Sequence, residues 1–273
     1  MNETDIIRTS GIKKVYGGTI ALAGADLSFR RGEVHALAGE NGAGKSTFCK
    51  ILSGAIAPTE GTVYIDGTAY RHLTPSESRA AGISMIYQEF NMVNDVPVYE
   101  NIFIGSEIRK QGIIVDKKEM IRRSKELFAK MDVDIDPRQL PRNLSVAQCQ
   151  LVEIAKALKD NCKVLVMDEP TAALTNKEIG TLLDLIKRLK EEGITIIYIS
   201  HRMDEIKVIT DRVTVMRDGS YVGTLITKDC TKDDIINMMV GRVIYEDPKT
   251  ESNVAPDAPV VLKVEHLNAG KMV

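Results

Sequence analysis

The feature that most constrains this chain is the stretch at residues 39–47, which reads Gly-Glu-Asn-Gly-Ala-Gly-Lys-Ser-Thr. This pattern, G-x-x-x-x-G-K-S, is typical of a loop whose backbone N–H groups point inward at a phosphate chain. Its glycines permit the backbone conformations that such a loop needs. Lys45 supplies a positive charge for the β- and γ-phosphates, and the Ser46 hydroxyl can ligate Mg²⁺. The sequence therefore predicts a site for a nucleoside triphosphate.

The residues around this loop predict a strand before it and a helix after it. Val34–Ala38 is mostly apolar and has the length of a buried strand. Beyond the loop, Phe48, Ile51 and Leu52 recur at helical spacing until Gly54, a residue that commonly ends helices. A helix that begins at the loop adds its positive end to the bound phosphates. Strand, loop and helix thus follow one another in the order that a phosphate site requires.

The composition argues against several classes of protein. The 36 Lys and Arg nearly balance the 38 Asp and Glu, for a net charge of −2, so there is no basic footprint of a nucleic-acid binder. No run approaches the roughly 18 apolar residues of a membrane span, and we expect no secretory signal at the N-terminus. The 4 cysteines lack C-x-x-C pairing, which argues against zinc and favours reduced thiols in a cytosolic protein.

Strands and helices alternate along most of the chain. Residues 164–167 and 194–199 are apolar runs, typical of strands covered on both faces of a sheet. Helical stripes occupy much of 99–159, and another begins after Thr175. This alternation predicts a parallel sheet with right-handed crossovers, whereas the hairpin signals within residues 5–70 predict a separate antiparallel piece.

Polar residues follow three of the predicted strands. Asp168 and Glu169 come directly after an apolar run. They could be solvated turn residues, but beside a phosphate loop an Asp at a strand end is the expected partner of Mg²⁺. Ligands of open α/β sheets also bind at the carboxyl ends of strands. Gln88 and His201 hold similar positions, although each alone would be an ordinary loop or capping residue.

Two further features have a simple structural interpretation. Ser145 and Gln148 fit the S-x-x-Q pattern of a helix capping box. Tyr16 precedes a Gly-Gly turn, where an aromatic residue usually packs, although a tyrosine face can also stack on a nucleotide base.

The composition changes after Gly241. Residues 243–259 are rich in proline and polar residues and read as a linker. Residues 260–273 resume a strand pattern that echoes residues 6–14, so we interpret them as the first strand of a second, truncated copy of the domain at residues 1–242. The chain is then expected to be a fragment.

With these motifs in this order, the chain resembles the nucleotide-binding domain of ABC transporters over residues 1–242. The runs 99–105, 152–158 and 199–206 are similar to those of the ATP-binding subunits of monosaccharide (ribose/galactose-like) importers, specifically their N-terminal nucleotide-binding domain. The resemblance implies an α/β fold, that of a P-loop NTPase of ABC type. It has a parallel core sheet, an antiparallel β-subdomain and a helical subdomain at about 89–160.

The resemblance also implies a set of site residues, with ATP and Mg²⁺ as cofactors. Nucleotide contacts are implied for Tyr16, Gly39, Glu40, Asn41, Gly42, Ala43, Gly44, Lys45, Ser46, Thr47, Ser145 and Gln148. Metal ligation is implied for Ser46, Gln88 and Asp168, and a part in catalysis for Glu169, His201, Gln88 and Lys45.

In this family pattern Tyr16 stacks on adenine, and Asp168 holds Mg²⁺ through water. Glu169 polarises the attacking water as general base, and His201 contacts the γ-phosphate. Gln88 reaches the metal and the water, while its loop contacts the membrane subunit.

The chain departs from the pattern at two places. Residues 144–148 correspond to the family's signature, a motif that meets the γ-phosphate across a dimer interface. Here Val146 and Ala147 replace the two glycines that the family usually has, so we expect a weakened but usable signature. The dimer-contact loop at residues 172–175 has Thr175 in place of the usual Asp.

The leading hypothesis is an ATPase that energises sugar import from the cytoplasmic face of the cell membrane. The implied partners are a second ABC domain, normally in the same polypeptide, or a homodimer; transmembrane permease subunits; and, indirectly, a sugar-binding protein. No nucleic acid is expected. A non-transport ABC ATPase acting on ribosomes or DNA should carry a long charged linker or a coiled-coil insertion, and residues 99–159 are too short and mixed for one. A binding module without ATPase activity is disfavoured because Glu169 and His201 are both present.

Overall fold

The computed structural model describes residues 5–241 together with residues 258, 259, 263 and 265. The chain divides into two units, Met1–Arg242 and Val243–Val273, and the following account concerns the first. Apart from those four positions, the linker predicted at 243–259 and the strand predicted at 260–273 lie outside the described residues. Within the described part, no helix has the length and apolar character needed to cross a bilayer.

The elements are numbered in chain order. The strands are β1 Asp5–Tyr16, β2 Thr19–Ala25, β3 Ser28–Arg30, β4 Val34–Ala38, β5 Glu60–Ile65, β6 Thr68–Tyr70, β7 Ile83–Ile86, β8 Arg109–Lys110, β9 Ile114–Val115, β10 Val164–Asp168, β11 Thr195–Ile199, β12 Arg212–Arg217 and β13 Ser220–Ile226. The α-helices are α1 Lys45–Leu52, α2 Pro75–Ala80, α3 Val98–Phe103, α4 Lys117–Lys130, α5 Val146–Leu158, α6 Asn176–Glu191, α7 Met203–Ile209 and α8 Lys232–Val240. Short 3₁₀ turns cover Pro141–Asn143 and Thr227–Asp229.

The core is a 6-stranded sheet with the order β13-β12-β4-β11-β10-β7. Its neighbours run parallel except for β12 and β13, which form an antiparallel pair at one edge. Every residue of β4 and β11 is buried, as their apolar sequences predict for strands covered on both faces. The parallel sheet predicted from the sequence is confirmed.

A second, antiparallel sheet has the order β2-β1-β5-β6, and β3 also pairs with β1. Asp66 and Gly67 join β5 to β6 with φ angles of 51° and 81°, the positive values that a tight hairpin turn requires. Ala25 and Phe29 are both buried, and they belong to two separate strands, because β2 ends before β3 begins.

The helical part of the structure consists of α3, α4 and α5, which pack on one another. The Asp116 side chain caps α4 by accepting a hydrogen bond from the Glu119 N–H at 3.2 Å. Met120 and Phe128 bury the apolar face of this helix. The short hairpin of β8 and β9 was not predicted, because its two strands have only 2 residues each.

The parallel sheet places four loops side by side. The carboxyl ends of β4, β11, β10 and β7 lie at one edge of the sheet, since these strands are parallel neighbours. The phosphate loop follows β4, His201 follows β11, Glu169 follows β10 and Gln88 follows β7. Residues from distant parts of the sequence therefore meet at this edge.

Candidate nucleotide site

A cleft of about 420 Å³ lies at the carboxyl edge of the core sheet, beside the turn that joins β1 to β2 of the antiparallel sheet. Most of the predicted site residues line it, although Gly39, Glu40, Ser145, Gln148 and His201 do not. The lining residues are Tyr16, Thr19, Ile20, Ala21, Asn41, Gly42, Ala43, Gly44, Lys45, Ser46, Thr47, Gln88, Asp168 and Glu169.

Close approaches of the backbone explain two glycines of the phosphate loop. A Cβ atom on Gly39 would lie 2.4 Å from the carbonyl oxygen of Met216, on the neighbouring strand β12. Gly44 has a φ of 98° directly before α1, and a Cβ there would lie 2.7 Å from the Ala21 oxygen. Any larger residue at either position would push the loop away from its neighbours.

Lys45 spans the mouth of the phosphate loop. Its Nζ donates hydrogen bonds to the carbonyl oxygens of Gly39 at 2.8 Å and Glu40 at 3.1 Å, which places both non-lining residues of the loop around the lysine. Burial lowers the pKa of Lys45, and the nearby charges of Glu169 and Asp168 oppose that shift. The ammonium is thus held at the loop in a partly desolvated setting, where a phosphate group would interact with it strongly.

The oxygen donors expected to hold Mg²⁺ share this cleft. Asp168 ends β10, and burial raises its pKa, while a hydrogen bond from Ser46 and the charge of Lys45 oppose the increase. The cleft therefore offers the hydroxyl oxygen of Ser46, the carboxylate oxygens of Asp168 and the amide oxygen of Gln88. Such hard donors suit Mg²⁺, which binds nucleotide sites through one or two carboxylates and the phosphates themselves. Within the described chain no group of three His, Cys, Asp or Glu side chains is placed to hold a metal ion.

Glu169 and His201 lie next to each other. The Nδ1 atom of His201 is 3.2 Å from Oε1 of Glu169, although the histidine side chain is 67% exposed. Glu169 has a φ of 48°, in the left-handed region that non-glycine residues rarely occupy. Its N–H donates to the Ile199 carbonyl oxygen at 2.9 Å, which ties the loop after β10 to β11. Strained backbone of this kind is common at functional sites.

Tyr16 ends β1 at the rim of the cleft with its ring 46% exposed. The Nζ of Lys14 lies 5.0 Å above the ring centroid, so one face of the ring meets a cation. Tyr16 thus lines the cleft as predicted, whereas its stacking on a base stays a prediction. Thr19, Ile20 and Ala21 also line the cleft and were missed, although their position opposite Tyr16 in the hairpin of β1 and β2 was the available signal.

Ser145 and Gln148 form the capping box predicted from the sequence. The Ser145 Oγ accepts the Gln148 N–H at 3.2 Å, and the Gln148 Oε1 accepts the Ser145 N–H at 2.9 Å. Both residues stand at the N-terminus of α5, outside the residues that line the cleft. The capping role is confirmed, whereas a nucleotide contact by these residues stays a prediction.

A family model described as "ABC transporter" matches residues 22–172, more than half of the chain. The chain belongs to this family. Members with solved structures have the same fold: the ADP conformation of MJ1267, an ATP-binding cassette of an ABC transporter, is 28% identical with a TM-score of 0.76, over 87% of this chain and 99% of that one. The dimeric post-hydrolysis state of the cassette MJ0796, bound to ADP and Pi, is 26% identical with a TM-score of 0.71, over 81% and 98%. The predicted fold class is confirmed.

Other ABC family members are more similar in sequence. "Ribose import ATP-binding protein RbsA 1" of Streptomyces avermitilis is 45% identical over 97% of this chain and 50% of its own length. "Ribose import ATP-binding protein RbsA 2" of Escherichia coli O157:H7 is 43% identical over 100% of the chain and 54% of its own length. The chain thus spans about half the length of the curated relatives it matches.

We expect Lys45→Ala to weaken ATP binding at least about tenfold, because charge-assisted hydrogen bonds contribute about 1.5–3 kcal/mol each. A calorimetric titration with ATP measures this loss of affinity. Lys50→Ala is the matched control, since Lys50 is an exposed lysine on the same helix and does not line the cleft. Equal ATP affinity in both variants would contradict the assignment of the phosphate loop.

Proposed function

We propose that this chain binds Mg²⁺-ATP, hydrolyses it, and so energises import of a sugar through an ABC transporter. The observation that carries the proposal is the convergence of three loops on one cleft, with a fourth loop beside them. The phosphate loop, Gln88 and the Asp168–Glu169 pair reach it from neighbouring strands, with His201 beside Glu169. Charge-stabilising and proton-accepting groups are thereby collected where phosphoryl transfer needs them.

In the proposed reaction, the oxygen of a water molecule forms a bond to the γ-phosphorus as the bond to the bridging oxygen of ADP breaks. The Glu169 carboxylate accepts the proton of that water. His201 engages Glu169 through Nδ1, which leaves Nε2 to donate to the γ-phosphate oxygens as charge develops on them. Lys45 and the N–H groups of its loop stabilise the same charge.

Ser46, Gln88 and Asp168 would hold the magnesium ion, which when bound neutralises phosphate charge. The structure supports this by the chemistry of the three donors and their shared cleft.

A second ABC domain is the proposed partner that completes the site. Ser145 and Gln148 cap α5 away from the residues that line the chain's own cleft, so their polar groups are available to a nucleotide held elsewhere. The helix N-terminus that they cap favours an anion. We infer that ATP bound at residues 39–47 is completed by the signature of another domain, in the same polypeptide or in a homodimer. The relatives' length, about twice that of this chain, supports a tandem arrangement.

The proposed membrane partner is a permease that docks beside Gln88. Tyr87, Phe90 and Val93 expose apolar surface just after β7. Tyr87 also lines a groove of about 280 Å³, with Ile104 of the helical part on its other side. Gln88 lies within this segment and lines the nucleotide cleft, so it would link docking to ATP. These contacts would hold the chain at the cytoplasmic face of the membrane, with a sugar-binding protein acting on the far side.

The names of these two relatives favour sugar import over a non-transport ATPase, since they are ribose import ATP-binding proteins. The region from α3 to α5 agrees, because its longest helix, α4, has 14 residues and forms no coiled-coil arm.

We expect Glu169→Gln to lower ATP turnover by at least about 10²-fold, as loss of a general base does. ATP affinity should stay unchanged, because Lys45, Ser46 and Asp168 remain. Steady-state phosphate release and an ATP titration measure the two quantities. Glu60→Gln serves as control, since Glu60 is an exposed glutamate paired with Lys13 outside the cleft. Normal turnover in Glu169→Gln would refute the proposed base.

We expect the specific ATPase activity of the isolated chain to rise with protein concentration, because a shared site forms only on association. Association must overcome about 4–15 kcal/mol of lost translational and rotational freedom, which a tandem chain largely avoids. Phosphate release per mole of protein from nanomolar to high micromolar concentration measures this. High and constant specific activity over that range would contradict a shared site.

A mixing experiment makes the same test independent of concentration. Lys45→Ala lacks a usable phosphate loop and Ser145→Ala lacks the signature hydroxyl, so each is expected to be nearly inactive alone. A mixed dimer contains one intact site, formed by Lys45 of one chain and Ser145 of the other. Activity should therefore reappear on mixing, and its failure to do so with both variants folded would argue against sharing in trans.

We expect Phe90→Asp combined with Val93→Asp to abolish co-purification of the full-length subunit with the permease of a monosaccharide importer, while ATP binding persists. A carboxylate in the docking surface would lose its hydration without gaining a partner. Affinity capture of the tagged permease and uptake of labelled ribose provide the readouts. The control is Val208→Asp, which changes a valine on α7 that is also exposed and lies outside the docking surface. Undiminished capture of the double variant would exclude this docking surface.

A further inference from the structure

Glu205 is a buried carboxylate that the proposed reaction does not use. It lies in the first turn of α7 and is only 3% exposed. One of its oxygens, Oε2, accepts three hydroxyl hydrogen bonds: from Thr171 at 2.9 Å, Tyr198 at 2.7 Å and Ser200 at 3.1 Å. The other, Oε1, forms an ion pair with Arg202 Nη1 at 3.1 Å.

The hydroxyls that meet at Glu205 come from the loop after β10, from the end of β11 and from the loop after β11. Thr171 lies two positions after Glu169 in the loop that follows β10. Ser200 directly precedes His201 in the loop that follows β11. Tyr198 lies in β11 itself, next to its last residue. One carboxylate oxygen therefore joins the loop that carries Glu169 to the loop that carries His201.

The surroundings of Glu205 make this junction rigid. Thr171, Tyr198 and Ser200 are at most 4% exposed, so water does not compete for their hydroxyls. Three hydroxyls that converge on one oxygen atom also restrict its movement. Ser200 Oγ also accepts the Arg202 N–H at 3.0 Å, which fixes the backbone on both sides of His201.

Glu169 and His201 need such external support. Their contact is a single 3.2 Å hydrogen bond, and the His201 side chain is largely open to solvent. The backbone of Glu169 is in the left-handed region, which persists only where neighbouring structure enforces it. The hydrogen bond from the Glu169 N–H to the Ile199 carbonyl oxygen supplies part of this support. The hydrogen bond from the Thr171 hydroxyl to Glu205 supplies another part, two residues further along the chain.

We propose that Glu205 is a positioning residue that sets the placement of Glu169 relative to His201 by holding their two loops on one carboxylate oxygen. This inference rests on the proposed hydrolysis of ATP at the cleft. Glu205 does not line the cleft, so its effect reaches the reaction through Thr171 and Ser200. A purely structural role would instead lower stability and leave the turnover of the folded protein intact.

The main test compares kinetics and amide hydrogen exchange of Glu205→Ala with the parent chain, at a protein concentration where turnover is measurable. We expect kcat to fall at least about tenfold, with little change in KM for ATP, since a misplacement of about 1 Å can cost about 10²-fold. Exchange should accelerate in peptides that cover residues 169–172 and 199–202, and stay unchanged in α1.

A second variant guards against a general folding defect. Thr171→Val keeps the size of the side chain and removes only the hydrogen bond that links the loop after β10 to Glu205. Thr214→Val is its control, because Thr214 is also buried and hydrogen-bonded, to His35 and Thr224 at 2.7 Å each, but lies on β12. We expect Thr171→Val to lower kcat and loosen residues 169–172, and Thr214→Val to do neither.

The outcomes separate this inference from the proposed function. If Glu169→Gln abolishes turnover while Glu205→Ala and Thr171→Val keep normal kcat and normal exchange in both loops, the positioning role is wrong. If Glu169→Gln has no effect on turnover, the proposed hydrolysis fails, and accelerated exchange confined to the two loops still supports the junction at Glu205. A uniform rise in exchange throughout the domain would assign Glu205 to stability alone and overturn the proposal.

Discussion

The parallel hydrogen bonding of β4, β11, β10 and β7 determines where each part of the site lies. Leu37 pairs with Ile199, and Ile199 pairs with Asp168, so the ends of these strands stand level with one another. A shift of one residue in this register would turn each side chain to the opposite face of the sheet. Asp168 would then leave the cleft, and the hydrogen bond from Glu169 to Ile199 would lose its acceptor. The chemistry at the sheet edge is therefore a consequence of backbone pairing inside an apolar core.

The same burial gives the cleft its electrostatic character. Burial lowers the pKa of Lys45 and raises that of Asp168, so both charged forms are disfavoured when water is excluded. A triphosphate with a bound cation carries charges that complement both groups. Charge pairs in such a partly desolvated setting interact more strongly than in bulk water. The cleft thus gains affinity from the burial that makes its own charges costly.

Local sequence patterns predicted the elements that position the site, including the phosphate loop, the strands before Asp168 and His201, and the capping box at Ser145. These features depend on neighbouring residues, which makes them visible in the sequence. The junction at Glu205 was not predictable in this way, because its partners Thr171 and Glu205 are 34 positions apart and are ordinary polar residues individually. Only the pairing of β10 with β11 brings them together. The β8–β9 hairpin was missed for a different reason, as its strands are too short to show alternation.

The capping box at the start of α5 has an implication for how this domain can diverge. Ser145 and Gln148 satisfy each other's backbone N–H groups, so the helix is complete without Val146 or Ala147 taking part. Val146 is 43% exposed. A change at either of these two positions consequently leaves both capping hydrogen bonds in place. In a tandem protein, one of two nucleotide sites can then lose activity by successive substitutions while both domains still fold. The result is a protein whose two nucleotide sites differ in activity.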